Sequence, residues 1–267
     1  MLVLIKGAGD LSSGIACRLY RSGFQVVMTE TARPTTVRCT VAFSRAVYRK
    51  ETQVEDIPGQ LAVSTEECRR LVEAGVVAVA VDPECQLLSQ LHPDALVDAI
   101  IAKRNTGTRI DDAPVVIGVG PGFTAGVDCH AAVETQRGHD LGRVLYKGSP
   151  TPDTGIPGEI GGYTTQRVLR AEVDGIFMAR AAIGDSVRAG QEVGRIGTLP
   201  VRAQISGVLR GLLPDQTPVY TGMKVGDVDP RCRVEHCYTV SDKANAVGGG
   251  VLEAILNGME KRRRNGL

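Results

Sequence analysis

The stretch "MLVLIKGAGDLSSGIACRLYRSGFQVVMTE", residues 1–30, decides how the chain is read. The apolar run Leu2–Ile5 ends at the glycines of "KGAGD", and Leu11, Ile15 and Leu19 then recur at helical spacing. Gly23 stops that helix, and "FQVVMTE" follows as a second strand ending at Glu30. Strand, glycine loop, helix and strand in this order open a dinucleotide-binding unit, whose glycines let backbone amides reach a phosphate at the helix N-terminus. Gly7, Gly9 and Gly14 are the expected phosphate contacts. Glu30, 23 residues after Gly7, stands where an acidic residue meets a ribose hydroxyl. Two residues depart from the fingerprint: Ser12 takes the third glycine position, and Asp10 stands where a phosphate would come closest. A carboxylate there suits a helix cap and would repel an anion.

The pattern continues outward. "STEECRRLVEAG" (64–75) reads as a Ser-started, Gly-stopped helix, and "VVAVAVDP" (76–83) as a buried parallel strand. "PDALVDAIIAK" and "APVVIGVG" read as two more strands, with Asp82 and Asp98 at or near strand ends. Alternating strands and helices predict a parallel, Rossmann-like α/β sheet over 1–112.

Residues 113–163 form a Gly-rich strand, hairpin and linker segment. Gly118, Gly120, Gly122 and Gly126 suggest a backbone nest or a close ligand approach. Alternation in "VDCHAAVET" would place Asp128, His130 and Glu134 on one strand face, with His139 near the following turn. Carboxylates beside an imidazole make a proton-transfer pair, so these three are the candidate catalytic residues.

Residues 164–230 carry an internal repeat. Gly175 aligns with Gly207, Val187 with Val219, Gly190 with Gly222 and Gly194 with Gly226, each pair 32 residues apart. The pattern resembles biotinyl/lipoyl carrier domains, which implies a small barrel-sandwich hybrid. The carriers' modified lysine is missing, because no lysine occurs from 148 to 223, so no biotin or lipoate attachment is expected. In 231–267, Cys232, His236 and Cys237 fall short of structural zinc spacing, so no metal is expected. Cys237 is a candidate reactive thiol. Gly248–Gly250 precede an amphipathic pattern and suit either an anion cradle or close helix packing.

Composition bounds the function. The 267 residues carry a net charge of +1, no Trp and 4% aromatics, leaving little to attract nucleic acid. No apolar run reaches the roughly 18–20 residues that span a bilayer. Seven scattered cysteines and no signal-peptide pattern predict a reduced, cytoplasmic setting.

The stretches "IKGAGDLSSGIACRL", "GVGPGFTAGVDCHAAVETQRGH", "DGIF", "ISGVLRGLL", "VGDVDPR" and "SDKANAVGGGVLEAIL" resemble the YqeB family nearly end to end. Those are accessory proteins of the selenium-dependent molybdenum hydroxylase system. The first third is more distantly similar to accessory proteins that insert sulfurated molybdenum cofactor into xanthine dehydrogenase. The resemblance implies a bacterial maturation factor that binds a phosphate-bearing ligand, molybdenum cofactor or a nucleotide. It also implies a molybdenum hydroxylase or another maturation protein as partner. A homo-oligomer is a further expected assembly. Two other readings stay open: an NAD(P)-dependent oxidoreductase, which Glu30 favours, and a non-catalytic docking scaffold, which the missing lysine favours.

Overall fold

Leu2–Lys6 (β1), apolar up to Ile5, lies at the centre of a nine-stranded sheet. The computed structural model describes residues 1–266. Asp10–Arg21 (α1) follows, then Gln25–Glu30 (β2) and a short helix, Ala46–Arg49 (α2). Glu51–Val54 (β3) and Ile57–Ala62 (β4) form a hairpin, and Thr65–Glu73 (α3) leads to Val77–Val81 (β5). Leu88–Leu91 (α4), Ala95–Asp98 (β6), Val115–Val119 (β7), Ala131–Val133 (β8) and Val144–Leu145 (β9) complete this half. The long helix Asp242–Arg264 (α5) packs on α1. Caps set these helices. The Ser64 hydroxyl accepts the Glu67 N–H at 3.1 Å while the Glu67 carboxylate accepts the Val63 N–H at 2.9 Å. Ser241 caps α5 in the same way through the Ala244 N–H.

The sheet order is β3-β4-β5-β2-β1-β6-β7-β8-β9. Strands β4 to β8 run parallel, with β1, β2 and β5 among them, while β3 and β9 pair antiparallel at the two edges. This corrects the expected Rossmann-like sheet. A Rossmann sheet sets its third parallel strand beside its second. Here β5 lies between β4 and β2, because the β3–β4 hairpin carries the chain one strand further out before it returns. The α/β class stands, and the sheet is mixed.

Residues 168–229 build two four-stranded antiparallel sheets, in the orders β10-β17-β15-β12 and β14-β13-β11-β16. Their strands are Val168–Arg170 (β10), Gly175–Ala179 (β11), Ser186–Val187 (β12), Glu192–Ile196 (β13), Leu199–Arg202 (β14), Gly207–Leu212 (β15), Thr217–Val219 (β16) and Lys224–Asp229 (β17). The 32-residue repeat is visible as two strand triplets that exchange partners. β11 pairs with β16, and β15 pairs with β12. The expected biotinyl/lipoyl barrel-sandwich hybrid is corrected to these two open-edged sheets. The repeat encodes a strand triplet whose first and third strands pair antiparallel, β11 with β13 and β15 with β17, and this does not require closure into a carrier barrel.

The chain divides into two compact units. One comprises Met1–Pro34, Ala42–Asp153 and Val240–Leu267, the other Thr35–Val41 and Thr154–Thr239. The boundary expected at 112 falls between β6 and β7, which pair from Ala95↔Val115 to Asp98↔Gly118. Residues 240 onward join the first unit through α5. Among the described residues no helix is long and apolar enough to cross a membrane.

Candidate functional site

Polar side chains of the first unit gather where the parallel strands end. Open α/β sheets bind ligands at that edge, at the point where the strand order reverses. Here the reversal lies between β1 and β6. The last residues of these strands form a buried network. Lys6 Nζ lies 3.1 Å from Asp98 Oδ2 and donates to Thr108 Oγ1 at 2.7 Å, and Thr108 Oγ1 donates to Asp98 Oδ2 at 2.6 Å.

The glycine loop after β1 is closed on itself. The Gly7 N–H donates to the Thr29 carbonyl at 2.9 Å, and the Ala8 N–H donates to Glu30 Oε2 at 3.1 Å. Glu30 Oε1 accepts the Thr31 N–H at 2.8 Å, so both oxygens of the expected ribose ligand hold backbone. The Ser13 hydroxyl donates to the Ala8 carbonyl at 3.1 Å and accepts the Phe43 N–H at 2.8 Å. Gly7, at φ +94°, would place a side chain 3.1 Å from the Ala99 carbonyl oxygen, so glycine is needed there for packing. Gly9 is the cap position of α1, with no side chain capping it, and Asp10 is the first helical residue. The expected Asp10 cap is therefore corrected. Gly14 sits against Ala244 and Val240, where a side chain would collide with α5.

The other glycines divide in the same way. At Gly120 a Cβ would meet Thr135 Oγ1 at 2.9 Å, and at Gly122 it would run into the Arg104 backbone. Gly126 faces open space in a turn, where its N–H donates to the Cys129 carbonyl at 2.8 Å. Gly248 and Gly250 lie inside α5, against α1 and the Gly142 backbone.

Asp128, His130 and Glu134 are not gathered on one strand face. Strand β8 spans only 131–133, and the chain before it is a turn closed by the Asp128 carboxylate, which accepts the Thr124 N–H at 2.8 Å. His130 lies before β8, where its Nδ1 accepts the Val116 N–H at 3.0 Å. Partial burial, then the Arg262 guanidinium, push its pKa below the usual imidazole value. Glu134 lies past the far end of β8 and is 4% exposed. Burial alone would raise its pKa. Hydrogen bonds from the Gln136, Thr151 and Thr135 amides, each at 2.7 Å, override that and hold it below the usual carboxylate value. The proton-transfer pair is thus separated to opposite ends of a strand. His139 is exposed.

In the second unit Cys237 is buried, with Sγ 3.8 Å from the Leu209 carbonyl oxygen, and burial pushes its thiol pKa up. It is a core residue rather than an activated thiol. Among the described residues, no group of three His, Cys, Asp or Glu side chains could hold a metal ion.

Sequence reading missed Lys243, in the first turn of α5. Burial first, then the Arg137 guanidinium, lower its pKa, while Asp10, Glu134 and Asp153 act in the opposite sense. Those carboxylates stand at the start of α1, at the end of β8 and at the end of the first unit's central segment. Two nearby charges are already committed. Arg137 holds Asp242 through two hydrogen bonds of 2.7 and 3.0 Å, and Lys103 lies 2.7 Å from Asp153. Among the described residues Lys243 makes no ion pair of its own. The one sequence signal was its place just after the capping serine in "SDKANAV".

No family model matches the chain. It is 51% identical over 255 residues to the uncharacterized protein YqeB of Escherichia coli K12, covering 96% of this chain and 47% of that protein. The chain thus spans about half the length of the curated relative it matches. Among solved structures, an aspartoacylase family protein from Mesorhizobium loti aligns over 87% of this chain and 86% of its own, at 13% identity and a TM-score of 0.29. A succinylglutamate desuccinylase/aspartoacylase from Rhodobacter sphaeroides aligns over 85% of this chain and 84% of its own, at 15% identity and a TM-score of 0.27. Likeness at these scores carries no argument about fold or activity.

Proposed function

Because the chain belongs to the YqeB family, we propose that it serves as an accessory factor in the maturation of selenium-dependent molybdenum hydroxylases, holding a phosphate-bearing ligand such as molybdenum cofactor or a nucleotide. The maturation role follows from the family resemblance. What supports the ligand is Lys243, a half-buried amine near the start of α1 that makes no ion pair among the described residues, while two of the carboxylates around it are already held, Glu134 by three amides and Asp153 by Lys103. An arriving phosphate would favour its ammonium form and draw its pKa back up. Binding would then take up protons and weaken as pH rises. The NAD(P) alternative is disfavoured because Glu30 already holds the Ala8 and Thr31 amides.

The test is complementation. In cells that make a selenium-dependent molybdenum hydroxylase but lack their own copy of this protein, the wild-type chain should restore hydroxylase activity. Lys243→Ala, at an equal level of folded protein, should restore about tenfold less, the loss expected from a charge contact of about 1.4 kcal/mol. Full hydroxylase activity in cells with no copy at all would overturn the accessory role.

A further inference from the structure

A cleft that Lys243 does not line opens in the first unit. It has a volume of about 570 Å³ and lies at the C-terminal ends of β4 and β5, beside the start of α3. That volume falls in the range of small-ligand sites. Ala62 of β4 is in register with Ala80 of β5, so Val63 and Val81 follow side by side at the two strand ends. Both line the cleft, and they are 85% and 44% exposed. Buried Ala62, Ala80 and Leu87 form its floor. Two branched apolar side chains left in water beside a cleft gain from any flat apolar face that covers them.

The rim has the opposite character. Glu66 and Asp82 supply carboxylates, Gln86 and Gln90 supply amides, and among the described residues no Lys, Arg or His lines the cleft. Each Asp82 oxygen accepts one backbone N–H, from Gln86 at 2.9 Å and from Leu87 at 2.8 Å. This fixes the carboxylate and leaves lone pairs for a ligand. Hydrogen bonds from the Glu66 backbone and the Ser64 hydroxyl hold the Glu66 carboxyl below its usual pKa, so it is an acceptor at neutral pH. The Thr65 hydroxyl donates to Gln90 Oε1, which commits the Gln90 oxygen and leaves its amide nitrogen. Such a rim repels anions and accepts N–H donors, while the two exposed valines beside it favour a flat ring whose edge presents those donors.

We propose that this cleft binds the 2-amino-4-oxo ring shared by pterins and guanine, with one face lying across Val63 and Val81 and its amino and ring N–H groups donating to Glu66 and Asp82. The site goes beyond the phosphate reading above and does not depend on Lys243.

Phosphate-free probes test it. Neopterin is titrated by its own fluorescence, and guanosine and inosine by calorimetry. Inosine lacks the 2-amino group, so it should bind at least about tenfold more weakly than guanosine, one hydrogen bond to a carboxylate being worth about that factor. Glu66→Gln should weaken guanosine or neopterin by about tenfold, and Val63→Lys should abolish binding with the melting temperature unchanged. Lys243→Ala should leave these affinities unaltered, so failure of the phosphate reading and failure of this one are separable. Whichever of neopterin and guanosine binds more tightly identifies the source of the ring. Absence of saturable binding by both would overturn the proposal, as would equal affinity for inosine and guanosine, or full binding by both cleft variants.

Discussion

Asp229 shows how a single buried carboxylate is kept charged. It is 1% exposed, and burial alone would raise its pKa. Arg231 reverses that, with side-chain hydrogen bonds at 2.9 and 2.6 Å and a backbone N–H at 3.0 Å, and Arg210 adds its charge at 3.7 Å. The result is a pKa lowered to about 2 from an ordinary 3.8. A group with a depressed folded-state pKa stabilises fully above its unfolded value and loses that stabilisation as pH falls through the folded one. Asp229→Asn should therefore cost about 2 kcal/mol at neutral pH. The gap from wild type should shrink between about pH 4 and pH 2 in urea unfolding followed across a pH series. A gap that is constant over that range would show that the charge is not what Asp229 contributes. Glu134 belongs to the same class, with amides in place of arginines.

At the scale of elements, the α1–α5 pair explains glycines that look like ligand loops in the sequence. Gly14 of α1 admits Ala244, and Gly248 admits the α1 backbone. Gly250 admits the Gly142 carbonyl, while its neighbour Gly249 faces open space within 4 Å. Opposite responses to one substitution follow. Gly249→Ala should stabilise the fold by about 0.5–1 kcal/mol through helix propensity alone. Gly250→Ala should destabilise it by about 1–3 kcal/mol, because overpacking against a carbonyl outweighs that gain. Matched urea midpoints for the two variants would refute the close packing described here. Gly248 and Gly250 therefore serve close packing, and periodicity alone could not separate that from an anion cradle.

For the whole molecule, the seven cysteines report on folding. Cys17, Cys68, Cys85, Cys129 and Cys237 are buried, Cys39 is half-buried and Cys232 is exposed. Burial pushes the Cys17 thiol up to about 12, and those of Cys68, Cys85 and Cys129 up to about 11. A thiol reagent at neutral pH should label Cys232 at once and the five buried cysteines only at the rate of unfolding, with all seven reacting in denaturant. Rapid native labelling of Cys237 would contradict the packing of the second unit. The two-unit organisation itself could not be read from composition, since its first unit is assembled from three separated segments.

Local chemistry was legible in the residues. Elements β1, α1, β2, α3 and β5 could be read from the residues alone, because hydrophobic period, capping serines and stop glycines act over a single turn or strand. The 32-residue repeat was legible for the same reason, since within each copy the first and third strands pair with each other. The sequence by itself also determined family membership, which 51% identity carries. The strand order emerges only in the folded sheet, since nothing near β4 announces that β5 will come between it and β2. Only the tertiary structure showed that Glu30 holds Ala8, that Asp128, His130 and Glu134 part company, and that Lys243 comes to stand near carboxylates more than 80 residues away in the chain. Those relations depend on which backbone groups meet after the sheet has assembled. A hydrogen bond or a charge contact reaches a few ångströms in space and carries no trace of its partner's position in the sequence.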